Sequence, residues 1–441
     1  MSRLAANPGT KTTSKRPPLR SPSAQLRILY YHVYLALVMM APPLVATPAR
    51  YFGVSSTDAV VVTWLVVNSL AFLMILGAMR NQFGSFLIVV AFSTYLLVSP
   101  LWSEVPAVSL GYGSTLIGVL CVAYLVSIDL SMREVLQMFA RVTIALSLIG
   151  LILYALRVDQ AIYVDAANRA NVLGGAPFKG LFPHKIVAGF YAVTGMVALL
   201  ATRRHSVGRV VGLGILLLVI LVTSSSTALV LLPVAVTIFI LTRRALARGT
   251  RTRSWLASLL VTAALGGLLM WWSWTDVLDF LGRDVTLTGR TILWNWGIEV
   301  WAQRPILGWG YGAYFATPEA AAFAQTIPEF RSWDVPHFHQ TYIQTAADFG
   351  LVGLVALVVL LGKVLARAYS QSRANGIDVA AGTFTITLVA AAAGFVMYLI
   401  PSYAYSGAVT LFLFVALFSS RAIRRQELTN NDLTTSSGPT R

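Results

Sequence analysis

Apolar runs about as long as a bilayer is thick recur from Ile28 to Ser419, and clusters of Lys and Arg punctuate them. A helix needs about 20 predominantly apolar residues to cross the hydrocarbon core. Lipid leaves open backbone groups without partners, so such runs must be helices. The chain is therefore all-α, a polytopic transmembrane helical bundle. Composition agrees: 57% of residues are apolar, 11% are charged, and mean hydropathy is +0.72. An ordinary cytosolic enzyme and a disordered chain are both excluded.

Twelve spans fit the pattern best. Their limits are 28–48, 58–78, 84–101, 109–128, 142–157 and 186–202, then 209–223, 226–242, 255–275, 347–366, 378–399 and 404–419. An even number puts both basic tails, 1–27 and 421–441, on one side, with residues 28–420 as the membrane domain between them. This topology gathers 24 of the 33 basic residues but only 5 of the 17 acidic ones on the side of the tails. The formal charge of +16 is thus the positive-inside signal; it sets orientation and implies no nucleic acid partner. Both tails are expected in the cytoplasm, the last of them disordered. The basic stretch 1–27 is expected to lead into an uncleaved first helix, since it is long for a signal-peptide n-region and Ala46-Thr47-Pro48-Ala49 makes a poor cleavage site. The single cysteine, Cys121, supports neither an intramolecular disulfide nor a Cys-based metal site.

One apolar stretch, Val210 to Leu241, is too long for one comfortable helix and short for two. Arg203, Arg204 and Arg209 precede it, and Arg243, Arg244 and Arg248 follow it. A single helix would put one cluster on the wrong side. Two short helices with a turn at Ser224-Ser225-Ser226-Thr227 are expected instead. Ser131–Arg141 reads as an amphipathic helix on the inner surface.

Two outer loops stand out, at about 158–185 and, between the ninth and tenth spans, at 276–346. Long loops on a rigid scaffold are where function concentrates. The larger contains Gly289-Arg290, Arg304-Pro305-Ile306-Leu307-Gly308-Trp309-Gly310 and Pro336-His337-Phe338-His339-Gln340. A histidine serves as a general base near neutral pH, and Arg290 or Arg304 can hold an anion. As a zinc site the His-x-His pair lacks nearby ligands. Gly308-x-Gly310-x-Gly312 has the spacing of a phosphate loop without the strand–turn–helix context, and reads as a turn. Trp294, Trp296 and Trp301 suit either stacking on sugar rings or a helix lying in the interface. In the smaller loop Arg169, Lys179, His184 and Lys185 place cations at a membrane entrance, where lipid diphosphates and anionic headgroups are both possible partners.

In combination these segments resemble the O-antigen ligase and Wzy-type polymerase superfamily of bacterial envelope enzymes. Leu101-Trp102-Ser103-Glu104-Val105-Pro106 is similar to the family's Leu-Trp-Ser-x-Asp-Pro stretch. Lys179-Gly180-Leu181-Phe182-Pro183-His184-Lys185 resembles a segment of the exopolysaccharide polymerase branch, of the ExoQ type. Gly289-Arg290, the Gly308-Trp309-Gly310 turn and His339 through Leu351 resemble the signature loop. There are departures. Gln340 and Ile186 stand where members usually carry Asn, and Ser226 stands where many carry an Arg or Lys in a Ser-Arg/Lys-Thr turn.

The resemblance implies metal-independent, inverting glycosyl transfer on the outer face of the bacterial inner membrane, with no cofactor. The implied donor is an undecaprenyl-diphosphate-linked glycan. Arg290 would meet the charge of the leaving diphosphate, supported by Lys179, Lys185, Arg304 and Arg169, with Gln340 among the substrate-binding residues. His339 would deprotonate the acceptor hydroxyl, with His337 as the alternative base. Membrane lipid and polysaccharide export and chain-length proteins are the further partners implied. A polymerase is expected first and a ligase joining glycan to lipid A-core second. A transporter is the rival from another class; charged residues are sparse inside the spans, and Asp348 at the membrane edge is the ambiguous one.

Overall fold

The computed structural model describes residues 21–45, 56–78, 83–164, 170–202, 206–248, 290–327, 336–400 and 407–419. Among these the fold is all helical, with one isolated antiparallel bridge, Ile162 to Phe178. The first eight helices longer than one turn are α1 (Pro22–Met39), α2 (Ser56–Ala78), α3 (Phe83–Val98), α4 (Pro106–Asp129), α5 (Met132–Ala155), α6 (Lys185–Thr202), α7 (Val207–Val222) and α8 (Ser226–Arg248). After the expected ninth span, which lies outside the described residues, come α9 (Arg290–Gln303), α10 (Pro318–Thr326), α11 (Thr341–Ser370), α12 (Ile377–Ala393) and α13 (Gly407–Phe418). Five of these, α4, α5, α6, α8 and α11, are long and apolar enough to cross a membrane; α7, α12 and α13 are shorter but equally apolar.

The expected break in residues 210–241 is present. Helix α7 stops at Val222, Ser224 takes a left-handed φ of 53°, and α8 starts at Ser226. Two expectations need correction. Residues 131–141 are no separate surface helix but the first turns of α5, started by a capping box between Ser131 and Glu134. Their apolar residues, including Val135, Leu136 and Phe139, are buried because this end packs against neighbouring helices instead of lying on lipid. The basic tail also turns helical earlier than expected: α1 begins at Pro22, and Arg27 pairs with Asp129 at 2.8 Å.

Helix α6 occupies the centre. It packs against α5, α7, α8 and α12, and nearly all its residues are buried. Gly189 allows a close contact with α8, since a Cβ there would fall 2.6 Å from that of Ala228. Small residues let membrane helices approach in this way. The turn between α7 and α8 is thereby held against the first turns of α6.

Residues 290–327 and 336–340 build a second, smaller core from Leu293, Trp296, Val300, Trp309, Tyr314 and Phe338. Trp296 is buried there, stacked on Phe323 at 4.4 Å and donating to the Tyr314 hydroxyl, so it belongs to packing and is not open to a sugar ring. This core rests on α11 at a sharp break. Gly350 has φ 63° and ψ −158°, so the helical hydrogen-bond ladder is interrupted at that point. The freed groups find partners in the preceding loop. Leu351 and Val352 donate to the carbonyls of Pro305 and Ile306, while Trp309 and Gly310 donate to those of Ala347 and Asp348. The Gly308–Gly312 segment is accordingly a docking turn, as its sequence context suggests.

Candidate active site

Three helices begin at one place. Lys185 opens α6, Arg290 opens α9, and α11 starts at Thr341 directly after His339 and Gln340. Unsatisfied N–H groups and the positive ends of helix dipoles favour anions at such starts. Local contacts fix each side chain. Phe178 donates to the Val222 carbonyl, and Lys179 and Gly180 donate to that of Ala161. Phe182 is fully buried, so the segment ending in His184-Lys185 is pinned on both sides.

Alternate residues of an extended chain share a face. Phe338 is buried in the small core, with its N–H donating to Gln344 Oε1, and this leaves His337 and His339 together on the other side. Their rings lie 4.2 Å apart in an edge-to-face arrangement. His339 adopts φ 53°, a left-handed conformation uncommon outside glycine, directly before the helix. Gln340 caps that helix, its Oε1 accepting the Ile343 N–H at 2.6 Å. Arg290 donates to the Val396 carbonyl at 2.9 Å, and the Tyr398 ring lies 5.2 Å from that of His337.

Electrostatics tie the two loops into one site. Burial, then the Arg290 charge, pushes His337 down to about 4. His184 falls to about 3 through burial, Arg290, Lys185, His337 and Lys179. His339 lies well below the ordinary imidazole value through burial, His337, Arg290 and His184. All three imidazoles are neutral at physiological pH, among cations.

Two residues that sequence reasoning did not single out complete the site. Tyr163 hydrogen-bonds His184 Nε2 at 2.9 Å, and its ring faces Lys185 Nζ at 5.0 Å. Tyr398 is the second. Neither lies in a motif or a telling spacing, so the sequence carries no signal for them. His184 was legible as a cation at the entrance; its place beside Arg290 comes only from the fold.

Arg304 stands elsewhere. It pairs with Glu104, donates to the Trp102 carbonyl at 2.9 Å and lies over the Trp309 ring at 4.2 Å. These contacts clasp the signature loop to the Leu-Trp-Ser-Glu-Val-Pro stretch. Arg169 lies outside the described residues. Asp348 is 1% exposed, accepting from Gly312 N–H and Gln344 Nε2 at 3.1 Å each, and so links the His337–His339 segment to the docking turn. No group of three His, Cys, Asp or Glu side chains able to hold a metal occurs among the described residues.

The cationic cluster can hold a diphosphate, and a neutral imidazole beside it can accept a proton. Comparison with known proteins bears on this geometry. The sequence profile of the O-antigen ligase family matches residues 211–358, which include Arg290 and the His337–His339 pair. The chain is also 31% identical over 326 residues to the exopolysaccharide production protein ExoQ of Rhizobium meliloti (strain 1021), covering 70% of each. The chain belongs to the O-antigen ligase and Wzy-type polymerase superfamily. Membership in this superfamily makes it an integral membrane protein with a polymerase or ligase role in polysaccharide biosynthesis. The superfamily acts on lipid-linked glycans in the membrane.

Proposed function

We propose that the protein is an inner-membrane polysaccharide polymerase. It transfers an undecaprenyl-diphosphate-linked oligosaccharide to an acceptor sugar hydroxyl at the periplasmic face. The observation that carries this reading is the meeting of Arg290, Lys185, His184, His337 and His339 at three helix starts. Residues 28–420 act as one transmembrane glycosyltransferase domain, with 276–346 as its periplasmic loop.

In the proposed reaction the acceptor oxygen attacks the anomeric carbon and the bond from that carbon to the diphosphate oxygen breaks. The proton passes to His339, and the lipid diphosphate departs. A diphosphate is already a good leaving group, so cations placed for its developing charge supply the main assistance. Arg290 provides this, with Lys179 and Lys185 beside it. Lys185 also bears on the missing cation at Ser226: the turn preceding α8 packs on Gly189, one helical turn after Lys185. Attack opposite the leaving group inverts the anomeric centre.

The likeness to an exopolysaccharide production protein favours a polymerase. The O-antigen ligase profile supports a second reading, transfer of glycan to lipid A-core. The glycan profile of a deletion strain separates the two. Loss of polymer with single repeat units retained supports the polymerase; finished polymer stranded on its lipid carrier supports the ligase.

A further inference from the structure

A cavity of about 440 Å³ runs beside α11, between that helix, α3 and α13. Phe92, Val352, Leu360 and Phe414 typify its apolar walls. At one end the lining changes character, to Lys363 and Arg367. These lie four residues apart, so they share a helix face one turn from each other. Val352 and Val359 are 44% and 46% exposed, so the cavity opens sideways along the apolar surface of the bundle.

The cations lie at the end away from the histidines. Helix α12 returns beside α11, and its end meets the start of α11 where Thr341 donates to the Gly394 carbonyl. Its own start, Ile377, follows Ser370 and a single short turn, at the Lys363 and Arg367 end. The 17 residues of α12 separate the two ends by about 25 Å at 1.5 Å per residue. Arg243 of α8 pairs with Asp378 at this same end.

We propose that this cavity is a binding site for an anionic phospholipid of the leaflet opposite the active site. Acyl chains lie along Phe92, Val352 and Leu360, and the phosphate headgroup sits between Lys363 and Arg367. The distribution of charge selects the occupant. Apolar walls ending in two cations complement a lipid tail with an anionic head, and basic pockets between helices take such headgroups. A lipid-diphosphate donor fits poorly, because its charge would then lie across the bilayer from Arg290. A transmembrane helix of a partner leaves the paired cations unexplained.

Native mass spectrometry of the full-length protein, offered phosphatidylglycerol and phosphatidylethanolamine in equal amounts, tests the site. The wild type retains phosphatidylglycerol with a preference of roughly tenfold, as expected for two cations at the membrane surface. The double variant Lys363→Gln/Arg367→Gln loses that preference. Arg373→Gln, which removes a cation near the same end but outside the cavity lining, keeps it. Leu360→Trp, which fills the cavity, lowers retention of the lipid while both cations remain. Equal retention of the two lipids by the wild type overturns the proposal, as does a preference that survives the double substitution. Displacement of the bound lipid by undecaprenyl phosphate assigns the cavity to the carrier and overturns it as well.

Discussion

His337 Nδ1 accepts the backbone N–H of His339 at 3.1 Å. In neutral His337 the proton must then sit on Nε2, so that nitrogen can donate but has no lone pair for a substrate proton. His184 repeats the arrangement, its Nδ1 accepting the Ile186 N–H at 3.1 Å and its Nε2 facing Tyr163. Two of the three imidazoles are thereby oriented as donors by the backbone that follows them. Under the proposed mechanism this leaves His339 as the base and lets His337 Nε2 donate to a diphosphate oxygen, while His184 Nε2 is held by Tyr163.

The depressed histidines set a pH dependence. The acid limb of kcat/KM reports the free enzyme. With the base, His339, held well below its ordinary value by burial and then by His337, Arg290 and His184, that limb should lie well below 6.5. Arg290→Gln removes one cause of the depression and should move the limb of the residual activity upward. Folding is linked in the same direction. Unfolded histidines take up protons from about pH 6.5 and the folded ones do not, so stability should fall as pH drops from 6.5 toward 4. Turnover and melting temperature across pH 4–8 check both; a limb at 6.5 would show that the site does not hold its base neutral.

The break in α11 should tolerate no side chain. A Cβ on Gly350 would lie 2.2 Å from the Ile306 carbonyl carbon, and one on Gly308 would lie 2.5 Å from that of Asp348. Both residues also have positive φ, 63° and 69°. Gly350→Ala and Gly308→Ala should each cost about 2–5 kcal/mol from strain and overpacking together. Gly214→Ala on α7, with open space around it, should be close to neutral. Thermal melts followed by size-exclusion fluorescence compare the three, and a Gly350→Ala protein as stable as wild type would refute the docking account.

Cationic side chains are assigned to the leaving diphosphate, so purified protein with lipid-linked donor should turn over in excess EDTA. An absolute requirement for magnesium or manganese would overturn the assignment of leaving-group stabilisation to Arg290, Lys179 and Lys185.

Orientation follows from the basic clusters. Reporters fused after Gly249 and after Ser372 should both read cytoplasmic, and a fusion near Thr326 should read periplasmic. The Arg243–Asp378 pair places the end of α8 and the start of α12 at one end of the bundle, so the first two reporters must agree. Opposite readings would break the twelve-span topology.

Apolar runs and basic clusters made the helical class legible in the sequence, including the break at Ser224, because lipid punishes any other arrangement of those residues. Arg290, His337, His339 and Lys185 were legible as chemistry placed in loops. Their convergence was not, since it depends on three helix starts meeting from distant parts of the chain. The break at Gly350 sits in an apolar run that reads as continuous helix, and the partners that stabilise it lie some forty residues earlier, at Pro305 to Gly310. Arg304 looked like an anion ligand for the same reason: its partner Glu104 is two hundred residues away in sequence.

The central claim is that His339 accepts the acceptor's proton while Arg290 holds the donor. It is tested most directly by assaying purified variants on a lipid-linked oligosaccharide, with donor binding and turnover measured separately and folded protein matched. His339→Ala should lower turnover by about 10²–10⁴ with donor binding nearly unchanged, the usual contribution of a positioned base. Arg290→Ala should weaken both, because its charge meets the diphosphate in the ground state and in the transition state. Full activity in His339→Ala, whether or not His337→Ala is impaired, would contradict the account.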